Sequence, residues 1–209
     1  MAITNGYCSL ADVKAAARIT DSIDDTLLEL SIEAASREID SYTERVFYQT
    51  GSEGTPVARV YVPQDLYVVE TDDIISVTTL KTDSNGDGTF DTTFETSDFQ
   101  LEPLNGIAGG IDTPFTRIRA VGTYLWPTYE PRNVDANQAS VQVTGVFGFA
   151  TVPTAVRQAC IISALRGYKR YESPTGVLGF SDLGAVRVGT KLDPDVERMI
   201  QPYRKVRMA

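Results

Sequence analysis

The sequence predicts an α+β protein: a helical core made of two N-terminal helices plus a helix near 153–171, a large inserted antiparallel β subdomain, and an extended C-terminal arm. Three observations carry this. Apolar residues recur at helical spacing up to Val46, and the stretch from Gly51 to about Val146 breaks into short β-like runs separated by turn residues. Helical character then returns at Thr151-Val152-Pro153. The implied divisions are 1–50 for the N-terminal helical part, 51–150 for the inserted β subdomain, 151–172 for the core helix and 173–209 for an arm with a short helix. A chain of 209 residues with 42% hydrophobic and 22% charged content has ordinary globular composition, long enough to bury a sizeable core without a staple.

Taken in order, Ser9 followed by Asp12 forms a capping box with Asp in place of Glu or Gln. Leu10, Val13, Ala16 and Ala17 then give a short amphipathic helix to about Arg18. Thr20 or Asp21 can cap a second helix over about 22–46. Asp24 and Asp25 suit its positive end, Ile23, Leu27, Leu30 and Ala34 form one apolar stripe, and Leu28, Ile32, Ala35, Ile39, Tyr42 and Val46 form an adjacent one. The β-like runs are 57–62, 66–69, 74–80, 90–94, 99–101, 116–121 and 141–146, with long loops expected at 103–115 and 122–140. Asp83-Ser84-Asn85-Gly86-Asp87-Gly88 predicts a hairpin turn between Thr-rich strands.

Pro153 suits the first turn of the next helix, which runs to about Tyr171. Ala155, Ala159, Ser163 and Gly167 make a stripe of small residues on it, while Val156, Cys160, Ile161, Ile162, Leu165 and Tyr168 leave it apolar on most sides. It therefore needs close partners from more than one direction, the second helix and a neighbouring subunit. Beyond it, Leu183–Val188 reads as extended and Asp193-Pro194 starts a short helix carrying Val196, Met199 and Ile200. This tail either docks on other chains or folds back on its own domain.

Charge is segregated. Residues 1–105 hold twenty Asp/Glu against six Lys/Arg, and residues 106–209 hold eight against thirteen, within a net charge of −9. Such polarity suggests faces meeting different neighbours. The two cysteines, Cys8 and Cys160, suit small buried hydrophobes in a reducing compartment better than a disulfide framework. No signal-peptide pattern and no apolar window of membrane-spanning length occurs, so neither secretion by that route nor a membrane span is expected.

The absence of histidine removes the commonest general base near neutral pH, together with Ser-His-Asp and Cys-His arrangements and most zinc sites. No Walker A sequence, nucleophile elbow or dinucleotide fingerprint is present either. No enzyme activity and no cofactor are expected, and a hydrolytic carboxylate pair among Asp72, Asp73 and Asp91 ranks below a solvated acidic surface. Asp83, Asn85, Asp87 and Asp91 reproduce the first, third, fifth and ninth positions of a calcium loop, with Gly at the sixth. The twelfth position, however, is Phe94, with Glu95 one residue late. A polar hairpin turn is the favoured reading, and a calcium-dependent β-rich ligand-binding module the alternative. Arg166, Lys169, Arg170 and Tyr171 are read as capping a helix C-terminus and pairing with acidic groups, in preference to gripping nucleic acid phosphates.

Several strings in order resemble the head-to-tail adaptor, or gp6-like head-tail connector, family of tailed bacteriophages. They are Tyr7-Cys8-Ser9-Leu10-Ala11-Asp12-Val13-Lys14, Ile39-Asp40-Ser41-Tyr42-Thr43-Glu44-Arg45-Val46-Phe47, Thr82-Asp83-Ser84-Asn85-Gly86-Asp87-Gly88-Thr89, Leu101-Glu102-Pro103-Leu104-Asn105, the helix from Val152-Pro153, and Leu192-Asp193-Pro194-Asp195-Val196-Glu197-Arg198. The resemblance implies a helical connector core with a β insertion. It also implies a ring, commonly of twelve subunits, beneath the portal protein at one capsid vertex, with a stopper or other neck protein below and DNA passing through without sequence-specific binding. Location in the virion neck, and in the host cytoplasm during assembly, follows from the same resemblance. On that reading Ala155, Ala159, Ser163 and Gly167 are candidates for subunit packing. Val186 and Val188 are candidates for β-augmentation of a portal sheet, and Val196, Ile200, Tyr203 and Arg204 for anchoring the tail on a partner.

Overall fold

The computed structural model describes residues 3–105, 107–108, 111–128, 138–172, 177–181, 184–187 and 192–205. The chain divides into two compact units, one made of Met1–Tyr48 with Thr151–Ala209 and the other of Gln49–Ala150. Together they make an α+β protein with four α-helices and a six-stranded antiparallel sheet among the described residues.

The helical unit contains α1 (Leu10–Ala17), α2 (Asp25–Thr43), α3 (Thr154–Glu172) and α4 (Pro194–Ile200), followed by a 3-10 turn at Gln201–Tyr203. The α1 capping box is present in both directions, with Asp12 N–H donating to Ser9 Oγ at 3.1 Å and Ser9 N–H to Asp12 Oδ2 at 2.9 Å. The second helix is shorter than the predicted 22–46. It begins after Asp24, whose side chain makes no cap, and ends where Glu44 turns into the left-handed region at φ 55°. Its buried stripe is Leu28, Ile32, Ala35 and Ile39, and α3 packs on it through Val156, Ala159, Cys160 and Ala164.

Over 192–205 the C-terminal segment packs on the same helices. Asp193 caps α4 by accepting from Asp195 N–H at 3.0 Å, Val196 and Ile200 are fully buried, and Lys205 N–H donates to Thr43 O at 2.8 Å. Within the predicted extended stretch Leu183–Val188, Gly184–Arg187 form β10, paired antiparallel with β9 (Val177–Ser181), and Leu183 and Val188 lie outside the described residues.

The sheet unit contains β1 (Val57–Tyr61), β2 (Val68–Thr82), β3 (Thr92–Phe94), β4 (Phe99–Glu102), β7 (Phe115–Ala120) and β8 (Val141–Phe147). A separate two-residue pair, β5 (Ile107–Ala108) with β6 (Ile111–Asp112), lies inside the predicted 103–115 loop. Strand order is β1-β8-β2-β7-β4, with β3 also on β2. The two predicted runs 66–69 and 74–80 merge into the fifteen-residue β2. Its first half pairs with β7 (Val69↔Ile118) and its second with β8 (Leu80↔Val143), across register shifts that let one strand serve two partners. At one shift β8 comes so close that a Cβ on Gly145 would lie 2.1 Å from Ser76 O. The core gathers Val69, Ile74, Leu80, Phe94, Ile118, Val141, Val143, Phe147 and Trp126. Trp126 sits in the predicted 122–140 loop, yet it is buried, stacks on Phe94 with centroids 5.1 Å apart, and donates from Nε1 to Tyr67 O at 3.0 Å.

Candidate assembly surfaces

The N-terminal segment is tied to α2 by a polar and aromatic cluster. Tyr7 N–H donates to Ser36 Oγ at 3.1 Å. The Tyr7 hydroxyl donates to Asp40 and accepts from Phe47 N–H at 2.9 Å, and the Tyr7 ring meets Phe47 edge-on at 5.5 Å. Arg37 pairs with Asp40 at 3.1 Å and lies over the rings of Tyr7 and Tyr48. Burial first, and then the hydrogen bond to Asp40, push the Tyr7 phenol well above its ordinary range. Burial likewise raises the Asp40 carboxyl, against the lowering effect of the Tyr7 hydrogen bond and of Arg37. The cluster leaves few polar atoms unmatched, so it fixes where the segment before α1 crosses α2.

Tyr203 extends this cluster from the C-terminal side, its ring 5.7 Å from Phe47 at 82°. Tyr42 OH donates to Glu197 at 3.0 Å, Arg166 pairs with Asp193 at 3.2 Å, and Arg204 lies over the Tyr42 ring at 5.8 Å. Of the residues expected to anchor the tail on a partner, Val196 and Ile200 are fully buried, and Tyr203 and Arg204 contact α2 and the segment after it. These four residues lie against the chain's own helices and the segment after α2. Val186 lies in β10, described as backbone, and Val188 lies outside the described residues.

The small-residue stripe of α3 is also largely internal. Ala159 is completely buried, and a Cβ on Gly167 would meet Ser31 of α2 at 3.8 Å, while Ala155 and Ser163 are half-buried. Close helix-helix approach within one chain accounts for the burial of Ala159 and for the Gly167–Ser31 approach. In the helical unit, exposed apolar side chains are grouped on α2 and just before it. Ile23 is 86% exposed, Leu27 38% and Leu30 44%, and Ala34 is exposed one turn further on. Spacings of three and four place Leu27, Leu30 and Ala34 on one face of α2, opposite the buried stripe, with Ile23 in the turn before the helix. The sequence showed this stripe but could not say which of the two apolar faces has a partner.

The hairpin at 83–91 is a network of side-chain-to-backbone turns. The buried Asp83 carboxylate accepts from the N–H groups of Asn85 (3.2 Å), Gly86 (2.7 Å) and Gly88 (2.8 Å), and Gln138 Nε2 reaches it at 3.4 Å. Asn85 Oδ1 accepts from Asp87 N–H, Asp87 Oδ1 from Thr89 N–H, and Asp91 from the Ser84 and Thr92 hydroxyls. Thr89 N–H holds the Asp87 carboxyl below its ordinary range. Oxygens facing N–H donors are oriented against a cation, and among the described residues no group of three acidic or metal-ligating side chains is gathered to hold one. The sequence-read calcium set is thus a turn scaffold in this conformation. Asp72 is engaged by Arg59 at 2.7 Å and by Tyr61 at 3.2 Å, and Asp73 is buried.

At the basic end of α3, Lys169, Arg170 and Tyr171 are exposed, while Tyr168 OH donates to Asp24 at 2.7 Å and so ties α3 to the start of α2. At the other end, Arg157 forms a two-nitrogen bridge to Asp12, with Nε at 3.1 Å, and this bridge holds the Asp12 carboxyl down to about 2. Among the described residues no helix is long and apolar enough to cross a membrane.

Two solved structures contain chains with this fold. The neck of an empty GTA particle computed with C6 symmetry holds one that is 18% identical, with a TM-score of 0.54. The virion of a native gene transfer agent (GTA) particle holds one that is 19% identical, with a TM-score of 0.53. In both cases the match covers 100% of this chain and 95% of the other, so helical unit and sheet unit are shared together. No curated protein sequence matches the chain. Over residues 7–100, which take in α1, α2 and the sheet from β1 into β4, the chain matches the phage gp6-like head-tail connector protein family.

Proposed function

We propose that this chain is a non-enzymatic structural protein of the neck of a tailed phage or phage-like particle. In this role it is a head-to-tail adaptor whose copies form a ring, of twelve in the family's common arrangement, beneath the portal protein. The ring joins the capsid vertex to a stopper or tail protein and encloses the DNA channel. The observation that carries this reading is the connector-family match through α1 and α2. The fold, likened end to end to chains of a neck and of a virion, supports it.

The exposed Leu27, Leu30 and Ala34 face of α2, with exposed Ile23 just before it, supports the ring, because apolar surface in water gains from being covered by a neighbour. Net charge of −9 suits a protein that lets DNA pass without gripping it, since like charge suppresses adhesion. The test is mass photometry of the chain alone and mixed with the portal ring from the same source, repeated with Leu27→Asp. A discrete complex holding many copies per portal, lost or reduced in Leu27→Asp while its circular dichroism is unchanged, is the expected result. A wild-type monomer indifferent to portal would overturn the reading.

A further inference from the structure

The helical unit places its two cysteines side by side. Cys8 stands in the segment before α1 and Cys160 on α3, 152 residues later, yet their sulfurs are 3.3 Å apart and both thiols are free. Their surroundings hold them there. Ser36 Oγ lies 3.4 Å from Cys160 Sγ, donates to Ile32 O at 2.8 Å and accepts from Tyr7 N–H at 3.1 Å, so the residue next to Cys8 is pinned to the hydroxyl that touches Cys160. On the other side, Ser9 is fixed as the cap of α1. Cys160 is fully buried and Cys8 keeps 6% of its surface in contact with solvent. A disulfide needs its sulfurs about 2.0 Å apart. The sulfurs must therefore close from 3.3 Å to that distance, with the chain on either side of Cys8 held by the Tyr7 and Ser9 hydrogen bonds.

We propose that Cys8 and Cys160 form an intramolecular crosslinking site, oxidised by a hydroperoxide to a disulfide that staples the N-terminal segment to α3. In the first step the Cys8 sulfur attacks one oxygen of hydrogen peroxide and the O–O bond breaks. Cys8 becomes a sulfenic acid, and the departing hydroxide takes the thiol proton and leaves as water. In the second step the Cys160 sulfur attacks the Cys8 sulfur and the S–O bond breaks. The S–S bond forms, and the hydroxide leaves with the Cys160 proton as a second water. Two thiols have lost two electrons and one peroxide has been reduced to two waters.

The division of labour follows from burial and distance: Cys160 is fully enclosed, Cys8 is the residue of the pair that keeps some solvent contact, and the Cys160 sulfur lies 3.3 Å from that of Cys8. The contact with Cys160 and burial raise the Cys8 thiol, which slows its attack on peroxide. Reaction at a nearly buried thiol of raised pKa is slow, so the site is inert in a reducing cytoplasm. The chemistry is independent of the assembly role proposed above, and its test does not require portal.

The test exposes the full-length protein to hydrogen peroxide, alkylates remaining thiols under denaturing conditions, and reads intact mass and a non-reducing peptide map. The expected result is loss of two hydrogens, no alkylation, a peptide linking residues 8 and 160, and a melting temperature raised by at least about 5 °C that dithiothreitol reverses. Cys8→Ser and Cys160→Ser, both near-isosteric, should each abolish the linked peptide. Cysteines that both stay alkylable, oxidation that stops at sulfinic acid, or crosslinks found only between chains would each overturn the proposal, and the wild-type readout alone decides this if either variant fails to fold.

Discussion

Truncating Ile200 to Ala tests whether the C-terminal segment is part of the helical unit or a free arm. Ile200 is completely buried, beside the equally buried Val196 and three to five residues before the Tyr203 ring and the Lys205 N–H that fasten the segment to Phe47 and Thr43. Removing its side-chain atoms loses their transfer free energy and leaves a cavity, a combination that costs about 3 kcal/mol, within a usual range of about 2–5. For a chain of this size that corresponds to a melting temperature lower by roughly 6–12 °C. Helix ellipticity followed through thermal and urea unfolding is the appropriate probe. The single tryptophan, Trp126, belongs to the sheet unit, so its fluorescence gives a separate reading of the sheet. Ile200→Val should cost about 1 kcal/mol and fall between wild type and Ile200→Ala. A helix transition in Ile200→Ala coinciding with wild type would refute the docked geometry and restore the free-arm reading. On the docked geometry, deleting the residues from 192 onward destabilises the helices, so loss of portal binding in such a truncation would say nothing about which surface meets portal.

Two glycines with opposite surroundings give a paired prediction. Gly145→Ala drives a Cβ into the Ser76 carbonyl and should cost more than about 3 kcal/mol, whereas Gly167→Ala meets only Ser31 at 3.8 Å inside a helix and should stabilise by about 0.5–1 kcal/mol; urea midpoints of both variants check this. The Asp12–Arg157 bridge holds the folded Asp12 pKa at about 2, below its ordinary 3.8. Its contribution is therefore present above pH 4 and lost as pH falls toward 2. With Arg157 54% exposed, solvent screening keeps the contribution small, and the stability gap between wild type and Asp12→Asn should close over that window. A gap independent of pH would argue against the bridge. Millimolar calcium should leave the melting temperature unchanged, because ligand linkage requires oxygens that Asp83 already turns toward backbone donors; a rise would revive the calcium module.

What could be read from the sequence was what local chemistry decides. Ser9 and Asp12 cap each other across three residues, and Asp193-Pro194 starts a helix, because both signals are complete within a few residues. The alternation from helical to β-like spacing near residues 50 and 150 gave the α+β class for the same reason. What failed depended on partners distant in sequence. Periodicity marked two apolar faces on α2, but only packing shows that Leu28, Ile32 and Ile39 meet α3 while Leu27 and Leu30 meet solvent. The small residues of α3 promised close packing without naming the packed surface, and at Gly167 that surface is Ser31 of the same chain. Glu44 ends α2 with a left-handed turn that glycine usually supplies, so no local signal marked the boundary. Calcium spacing at Asp83–Asp91 was legible as spacing, but whether those oxygens face inward to a cation or outward to N–H groups is a matter of backbone conformation.

The order of the two units along the chain bears on how the protein is made. Because the sheet unit occupies Gln49–Ala150, α1 and α2 leave the ribosome long before the α3 face that covers Leu28, Ile32 and Ile39 exists. At roughly 5–20 residues per second, about 130 residues separate the end of α2 from the end of α3, a delay on the order of 6–26 s. During that interval both stripes of α2 face solvent or chaperone, and the sheet, complete within its own span, is free to fold first. The polar and acidic residues along α2, among them Glu29, Glu33, Glu38 and Asp40, then serve the nascent chain as well as the mature one, keeping an unpartnered helix soluble until its other half has been synthesised.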